Sequence, residues 1–181
     1  MTVMIPAWVN GTLTPVEKLD AHRRALRHRA VSVFVLRDGP EGPEILLQRR
    51  AAGKYHTPLL WANTCCTHPN WGEAPEVCAT RRLEEELGIV GLSPLPRGTV
   101  EYRADVGGGL VEHEVVEIFV ADAPEGLRLR PDPDEVAEVR WIGIDALAAE
   151  IAEAPDRFTP WLRIYLADHA GRIFGPARQD A

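Results

Sequence analysis

The run Leu110-Val111-Glu112-His113-Glu114-Val115-Val116-Glu117-Ile118-Phe119-Val120 constrains this chain more than any other stretch. It reads as a strand, and side chains on a strand alternate between two faces. Glu112 and Glu114 therefore share a face with Val116, Ile118 and Val120. That face is otherwise apolar and is expected to turn inward. A register in which both carboxylates meet solvent is the competing reading. A buried, unpaired carboxylate costs several kcal/mol even after relaxation, on the order of the penalties measured for isolated interior ions. Two of them on one inward face require cations, protons or a metal.

The rest of the chain supplies the material to enclose such a strand. With 181 residues, 45% of them hydrophobic and 26% charged, it is expected to form a single domain over 1–181. Its core should run from about 28 to 165, with residues 1–27 contributing to the site. The order of elements is interleaved. Thr14-Pro15-Val16-Glu17 is a capping-box pattern that predicts a helix over about 15–26. Strands are expected over 30–37 and 44–49, around a Pro/Gly turn. Pro75 opens a helix that Gly88 closes, with Val77, Leu83 and Leu87 on its apolar side. Strands over about 98–105 and 110–120 flank Gly107-Gly108-Gly109, and Val136–Ile142 forms another. Asp145 starts a helix, and Thr159-Pro160 starts the last one, which should end near Gly171. The expected class is α+β, a mixed sheet packed between helices with extra terminal segments.

The formal charge of −7 argues against nucleic-acid and anionic-membrane partners, which favour a basic face. No apolar run approaches the ~20 residues needed to span a bilayer, and the N-terminus lacks the charged and apolar regions of a signal peptide. Cys65 and Cys66 are adjacent and Cys78 lies in a helical pattern. That is not a disulfide framework, so a cytoplasmic location is expected.

Two constellations carry chemistry. In Arg81-Arg82-Leu83-Glu84-Glu85-Glu86-Leu87-Gly88-Ile89, Arg81 and Glu85 share a helix face, as do Arg82 and Glu86. By itself this could be a solvated helix laced with ion pairs. With Glu73 eight residues before Arg81, however, the spacing resembles the Nudix box, whose helix presents carboxylates to a divalent cation on diphosphate oxygens. Thr67 stands where the box's first glycine belongs, and Arg82 where its first glutamate after the arginine belongs. Both departures speak against hydrolysis. The second constellation is His22, His28 and His68 which, with Glu112 and Glu114, make a mixed N/O donor set suited to Mn²⁺, Zn²⁺ or Mg²⁺. A structural zinc on Cys65, Cys66 and His68 would lack the usual C-x₂₋₄-C spacing.

Several further segments occur together and in order. They are the run from Gly53-Lys54-Tyr55-His56 to Cys65-Cys66-Thr67-His68-Pro69, then Tyr102-Arg103, Val111–Val115, Asp132-Pro133-Asp134-Glu135-Val136, and Phe158-Thr159-Pro160-Trp161. Over about residues 15–165 the chain resembles the type I isopentenyl-diphosphate delta-isomerases of the Nudix-like superfamily. One spacing differs: His22 and His28 are six residues apart where the family is expected to have seven. The resemblance implies isomerisation of isopentenyl diphosphate to dimethylallyl diphosphate through a tertiary carbocation, for isoprenoid biosynthesis. It implies Cys66 and Glu114 as the acid–base pair with Tyr102 beside Glu114, and Trp161 as the π face toward the cation. It implies a metal on His22, His28, His68, Glu112 and Glu114, and a second Mg²⁺ carried with the substrate by Glu86 and the carbonyl of Cys66. Lys18, Arg50, Lys54 and Arg82 match the diphosphate-gripping cations. No flavin, nicotinamide or obligate protein partner is implied. The alternatives are a Nudix pyrophosphohydrolase and a non-catalytic module that binds an isoprenoid diphosphate.

Overall fold

A computed structural model describes residues 3–175. Its centre is the long strand β3 (Arg27–Gly39), which lies between β8 (Leu110–Asp122) on one side and a succession of partners on the other. β8 runs parallel to β3 from Arg27↔His113 to Leu36↔Asp122. Along β3's other edge lie, in turn, β1 (Met4–Val9), β6 (Cys65–Thr67) and β4 (Gly42–Arg50), all antiparallel. β7 (Leu95–Gly107) pairs with β8, and β4 pairs with β9 (Val136–Gly143) and β5 (Trp61–Ala62).

Because β3 is buried on both sides it reads as a continuous apolar run, and its alternation separates two cores. Val31, Val33 and Val35 face α2 (Pro75–Leu87), packing with Cys78, Ala79, Leu83 and Leu87. Ala30 and Phe34 face the other way, toward Trp161, Leu162 and Tyr165 of α4 (Pro160–Asp168) and Leu147 of α3 (Ile144–Glu153). Each large side chain buried this way stabilises by roughly 1.5–3 kcal/mol. Glu112 and Glu114 alternate inward as expected, on the face shared with Val116 and Ile118. The mixed sheet between helices is thus observed.

Three local expectations are corrected. The helix expected over 15–26 is a strand followed by a short helix: β2 (Thr12–Glu17) and α1 (Lys18–Arg23). The competing signal was Asn10-Gly11, whose φ values of 51° and 80° suit a two-residue hairpin turn. That turn pairs β1 with β2 from Met4↔Glu17 to Val9↔Thr12. β2 lies at the sheet edge, where Pro15 can lack an N–H without breaking a ladder. The actual N-cap is Glu17, whose carboxylate accepts from the Leu19 and Asp20 amides at 3.0 and 2.7 Å. Second, Val77 is exposed rather than on the apolar side of α2; six residues before Leu83, it sits about 120° round the helix. Third, the last helix breaks at His169, with φ −131°, and restarts as α5 (Ala170–Phe174), which returns Ile173 to the core.

Gly88 ends α2 as expected, at φ 64°, its N–H on the Glu84 carbonyl and that of Ile89 on Leu83. A Cβ there would lie 2.7 Å from Arg130 Cβ and 3.0 Å from the Arg130 carbonyl oxygen, whereas at Gly126, φ 71°, it would meet nothing within 4 Å. Gly88→Ala is therefore expected to cost more than the ~1–2 kcal/mol of the left-handed backbone alone, and Gly126→Ala no more than that. Urea unfolding of the two variants checks the difference.

Candidate active site

Strand register assembles the site. Across the sheet, Tyr102 on β7 lies opposite Glu114 on β8, and Glu114 opposite His28 on β3. Cys66 on β6 lies opposite Ser32, four residues further along β3. His22 arrives from the end of α1 and His68 from just beyond β6, both buried. Their rings cluster: His22 and His28 centroids are 4.7 Å apart, His22 and His68 5.0 Å, His28 and His68 5.1 Å. The six-residue spacing of His22 and His28 is accommodated by the turn between α1 and β3.

The hydrogen bonds set the tautomers. His22 Nδ1 donates to the Lys18 carbonyl at 2.6 Å, and His28 Nδ1 to the Leu26 carbonyl at 2.7 Å. Both Nε2 atoms are buried without a hydrogen-bond partner. His28 Nε2 lies 3.5 Å from Glu114 Oε1, and His68 Nε2 lies 2.9 Å from the same oxygen. Burial, and then the charge of His28, push His22 down to about 4; burial also holds His68 well below the usual histidine range. Imidazoles whose nitrogens converge on a carboxylate, with the other nitrogen of His22 and of His28 tied to a carbonyl, suit the donor set of a divalent metal. Ligating atoms of His22, His28, His68 and Glu114 all lie within 4.8 Å of one another. The residues present fit a metal ion.

Glu112, expected in the same set, lies in a second group that shares His22 with the first and adds His56. His56 Nε2 is 3.3 Å from Glu112 Oε1, and its Nδ1 is 2.9 Å from the Thr57 hydroxyl. The two carboxylates meet at Tyr102, whose hydroxyl lies 2.8 Å from Glu112 Oε2 and 2.7 Å from Glu114 Oε2. One phenolic proton faces two acceptors. Burial, and the neighbouring charge of Glu114, push Glu112 well above the usual carboxylate range. Burial pushes Glu114 up as well, but His28 and His68 outweigh it and hold that carboxylate well below.

At the other end of the pocket lie the four expected cations, Lys18, Arg50, Lys54 and Arg82. Burial first, then repulsion from Lys54, Arg82 and Arg50, pushes Lys18 down to about 8. Such crowding of like charge is relieved by a polyanion. Arg50 donates to the carbonyls of Thr57 and His56 at 3.2 and 3.1 Å, and its guanidinium lies 5.3 Å from the Trp161 ring. Lys54 and Arg82 both pair with Glu135. Arg82 also donates to Glu86 Oε1 at 2.5 Å, and Gln48 Nε2 donates to Glu86 Oε2 at 2.8 Å. Glu86 thus sits buried behind Arg82, engaged at both oxygens, and is not among the side chains that line the pocket. Cys66, Trp161, Tyr102 and Glu114 line it together.

Comparison with known proteins agrees with this geometry. Residues 26–162 match the NUDIX domain family. The chain is 66% identical over 175 residues to the isopentenyl-diphosphate Delta-isomerase of Roseobacter denitrificans, covering 97% of each. It is 65% identical over 178 residues to the protein of that name from Cereibacter sphaeroides, covering 98% of each. The chain belongs to the isopentenyl-diphosphate Delta-isomerases. A solved structure from Deinococcus radiodurans matches with TM-score 0.70 at 18% identity, over 94% of this chain and 98% of that one, a likeness of fold.

Within this isomerase family the departures read from the sequence acquire a place. Arg82, in a hydrolase glutamate's position, projects into the cationic end of the pocket and pairs with Glu85, Glu86 and Glu135. Groups close to this isomerase's pocket that received no role from the sequence include His56, Glu135 and Ser32. His56 and Glu135 lie inside the motif runs, so their positions were visible. Ser32 is one polar residue in an apolar strand, and that interruption was its only signal.

Proposed function

We propose that this chain converts isopentenyl diphosphate to dimethylallyl diphosphate in the cytoplasm, within a single domain to which residues 1–27 contribute, with Cys66 and Glu114 as the acid–base pair. The observation that carries the reading is that Cys66, Glu114, Tyr102 and Trp161 line one pocket whose other end holds four cations. Lys18, Arg50, Lys54 and Arg82 grip the diphosphate, which places the short hydrocarbon between the thiol and the carboxylate. One of the pair delivers a proton to the terminal alkene carbon, and the other removes a proton from the methylene carbon on the far side of the resulting cationic centre. The double bond moves, no atom is lost, and the diphosphate stays intact. Between the two transfers the substrate is a tertiary cation. The Trp161 ring offers its π face to that charge, and the buried walls keep water from trapping it. Tyr102 holds Glu112 and Glu114 in place through its hydroxyl.

His22, His28, His68, Glu112 and Glu114 would hold Mn²⁺, Zn²⁺ or Mg²⁺, and a bound divalent ion supplies positive charge that tunes the proton affinity of Glu114. Glu86 and the carbonyl of Cys66 would serve a second Mg²⁺ arriving with the diphosphate, once Arg82 turns from Glu86 to the substrate. Among the described residues no helix is long and apolar enough to cross a membrane, and the substrate is a small soluble diphosphate.

Incubation with isopentenyl diphosphate and Mg²⁺ in D₂O tests the reading. Deuterated dimethylallyl diphosphate is expected, because the proton lost and the proton gained are exchanged with solvent. Absence of that product overturns the proposal. Arg82→Ala adds a second check. It should weaken kcat/KM by on the order of 1.5–3 kcal/mol, one charged hydrogen bond, and produce no phosphate release. Steady phosphate production by the wild type that is lost in Glu86→Gln would instead identify a hydrolase.

A further inference from the structure

Cys66 is held by more than its own strand. Its Sγ lies 2.8 Å from Asn63 Oδ1 and 3.1 Å from Ser32 Oγ. Ser32 Oγ in turn lies 2.9 Å from the Tyr165 hydroxyl. Ser32, Asn63 and Tyr165 are all fully buried, so no solvent competes for these bonds.

The direction of each bond follows from chemistry. Asn63 Nδ2 donates to the carbonyls of Val33 and Cys65 at 3.0 and 3.2 Å. Its amide is thereby oriented, and the oxygen it turns to Cys66 can only accept. The hydrogen between Asn63 and the sulfur must therefore be the thiol's. Toward Ser32 the sulfur can then serve only as an acceptor, so the Ser32 hydroxyl donates to it. Having spent its one hydrogen there, Ser32 accepts from Tyr165. The result is a directed chain from Tyr165 through Ser32 and Cys66 to Asn63.

We infer that Ser32 and Tyr165 are positioning residues for the reaction, acting through Cys66. This rests on the reading of Cys66 as a member of the acid–base pair. Such a group passes through two protonation states in every turnover. Asn63 suits the first, since it accepts from the thiol. Ser32 suits the second, since its donated hydrogen bond persists, and strengthens, when the sulfur is charged. Tyr165 keeps Ser32 turned toward the sulfur by occupying its acceptor side. The sulfur thus stays in one place while its proton comes and goes. Tyr165 sits one helical turn beyond Trp161, on the same face of α4. The helix that presents an aromatic face to the pocket therefore also steadies the thiol.

The test uses Ser32→Ala, Tyr165→Phe, the double variant and Cys66→Ala, with kcat and KM measured for isopentenyl diphosphate. Tyr165→Phe removes one oxygen and keeps the ring in the core. We expect kcat to fall by about ten- to a hundredfold in Ser32→Ala, where the bond to the charged sulfur is lost, and by less in Tyr165→Phe, with KM little changed. The double variant should be no worse than Ser32→Ala alone, because Tyr165 reaches the sulfur only through Ser32. The Cys66 S–H stretching band, isolated by subtracting the infrared spectrum of Cys66→Ala, should shift in both single variants. An unshifted band with wild-type kcat in Tyr165→Phe overturns the inference, and so do losses that multiply in the double variant. If Ser32→Ala fails to fold, Tyr165→Phe and its band decide. Wild-type turnover by Cys66→Ala would instead defeat the acid–base reading, a result distinguishable from failure of the relay.

Discussion

Cys66→Ala is expected to reduce turnover by about 10³-fold or more, the range lost when a positioned proton-transfer group is removed, while the protein stays folded. Cys66 is only partly buried and lines the pocket, so its sulfur contributes little to the core. Its neighbour is the natural control. Cys65 is fully buried among Val31, Val33, Leu83 and Leu87, on the opposite side of the sheet. Cys65→Ala should cost about 1 kcal/mol of stability through the small cavity it leaves and leave turnover per folded molecule near that of the wild type. Cys65→Ser, which puts a hydroxyl into that apolar cluster, should be the less stable of the two Cys65 variants while remaining active. Two measurements suffice: a thermal melt and kcat on the same preparations. Equal losses of activity at Cys65 and Cys66, with similar melting temperatures, would remove Cys66 from the mechanism.

The second large effect concerns the metal and separates the two buried glutamates. Glu114 is contacted by His28, His68 and Tyr102, whereas Glu112 is contacted by Tyr102 and His56. Chelation is expected to abolish turnover and addition of Mn²⁺ or Mg²⁺ to restore it. In Glu114→Gln, bound metal measured by elemental analysis should fall by more than the roughly 10–100-fold typical when only an outer-shell partner is lost. Turnover should not return at saturating metal, because the carboxylate proposed to exchange the proton is gone. In Glu112→Gln the metal should also weaken, but high metal concentration should restore a substantial part of the rate. Full turnover by metal-stripped protein in chelator would eliminate the proposed centre. Identical behaviour of the two variants under metal rescue would show that Glu114 has no proton-transfer role of its own.

The same groups leave hydrogen-bonding capacity unfilled in the site. Four buried imidazoles, two buried glutamates and a phenol crowd together there. His22 and His28 Nε2 are left without partners, and Tyr102 is asked to serve two carboxylates at once. Buried polar groups left unpaired cost about 1–3 kcal/mol each. A cation at their focus would fill that capacity.

Much of this was written locally in the chain. Alternation along Leu110–Val120 placed Glu112 and Glu114 on a buried face, because a strand's side chains must alternate whatever the rest of the protein does. Pro75 and Gly88 bounded α2 for equally local reasons, and helical spacing paired Arg82 with Glu86. The ordered motifs carried the family. Where two local signals competed, the tertiary structure chose. Thr14-Pro15-Val16-Glu17 can cap a helix, yet the hairpin at Asn10-Gly11 offered the segment a strand partner, and six residue pairs outweighed one turn of helix. Distance in sequence concealed the rest. His56 comes to Glu112, Glu135 to Lys54 and Arg82, and Tyr165 to Ser32 only through strand register and helix packing. Residue types and local periodicity determined which groups were available and which way they faced. Which of them touch is a property of the assembled sheet, because contacts between residues up to 133 positions apart are set by how β3, β6, β8 and α4 pack and by nothing in their local sequence.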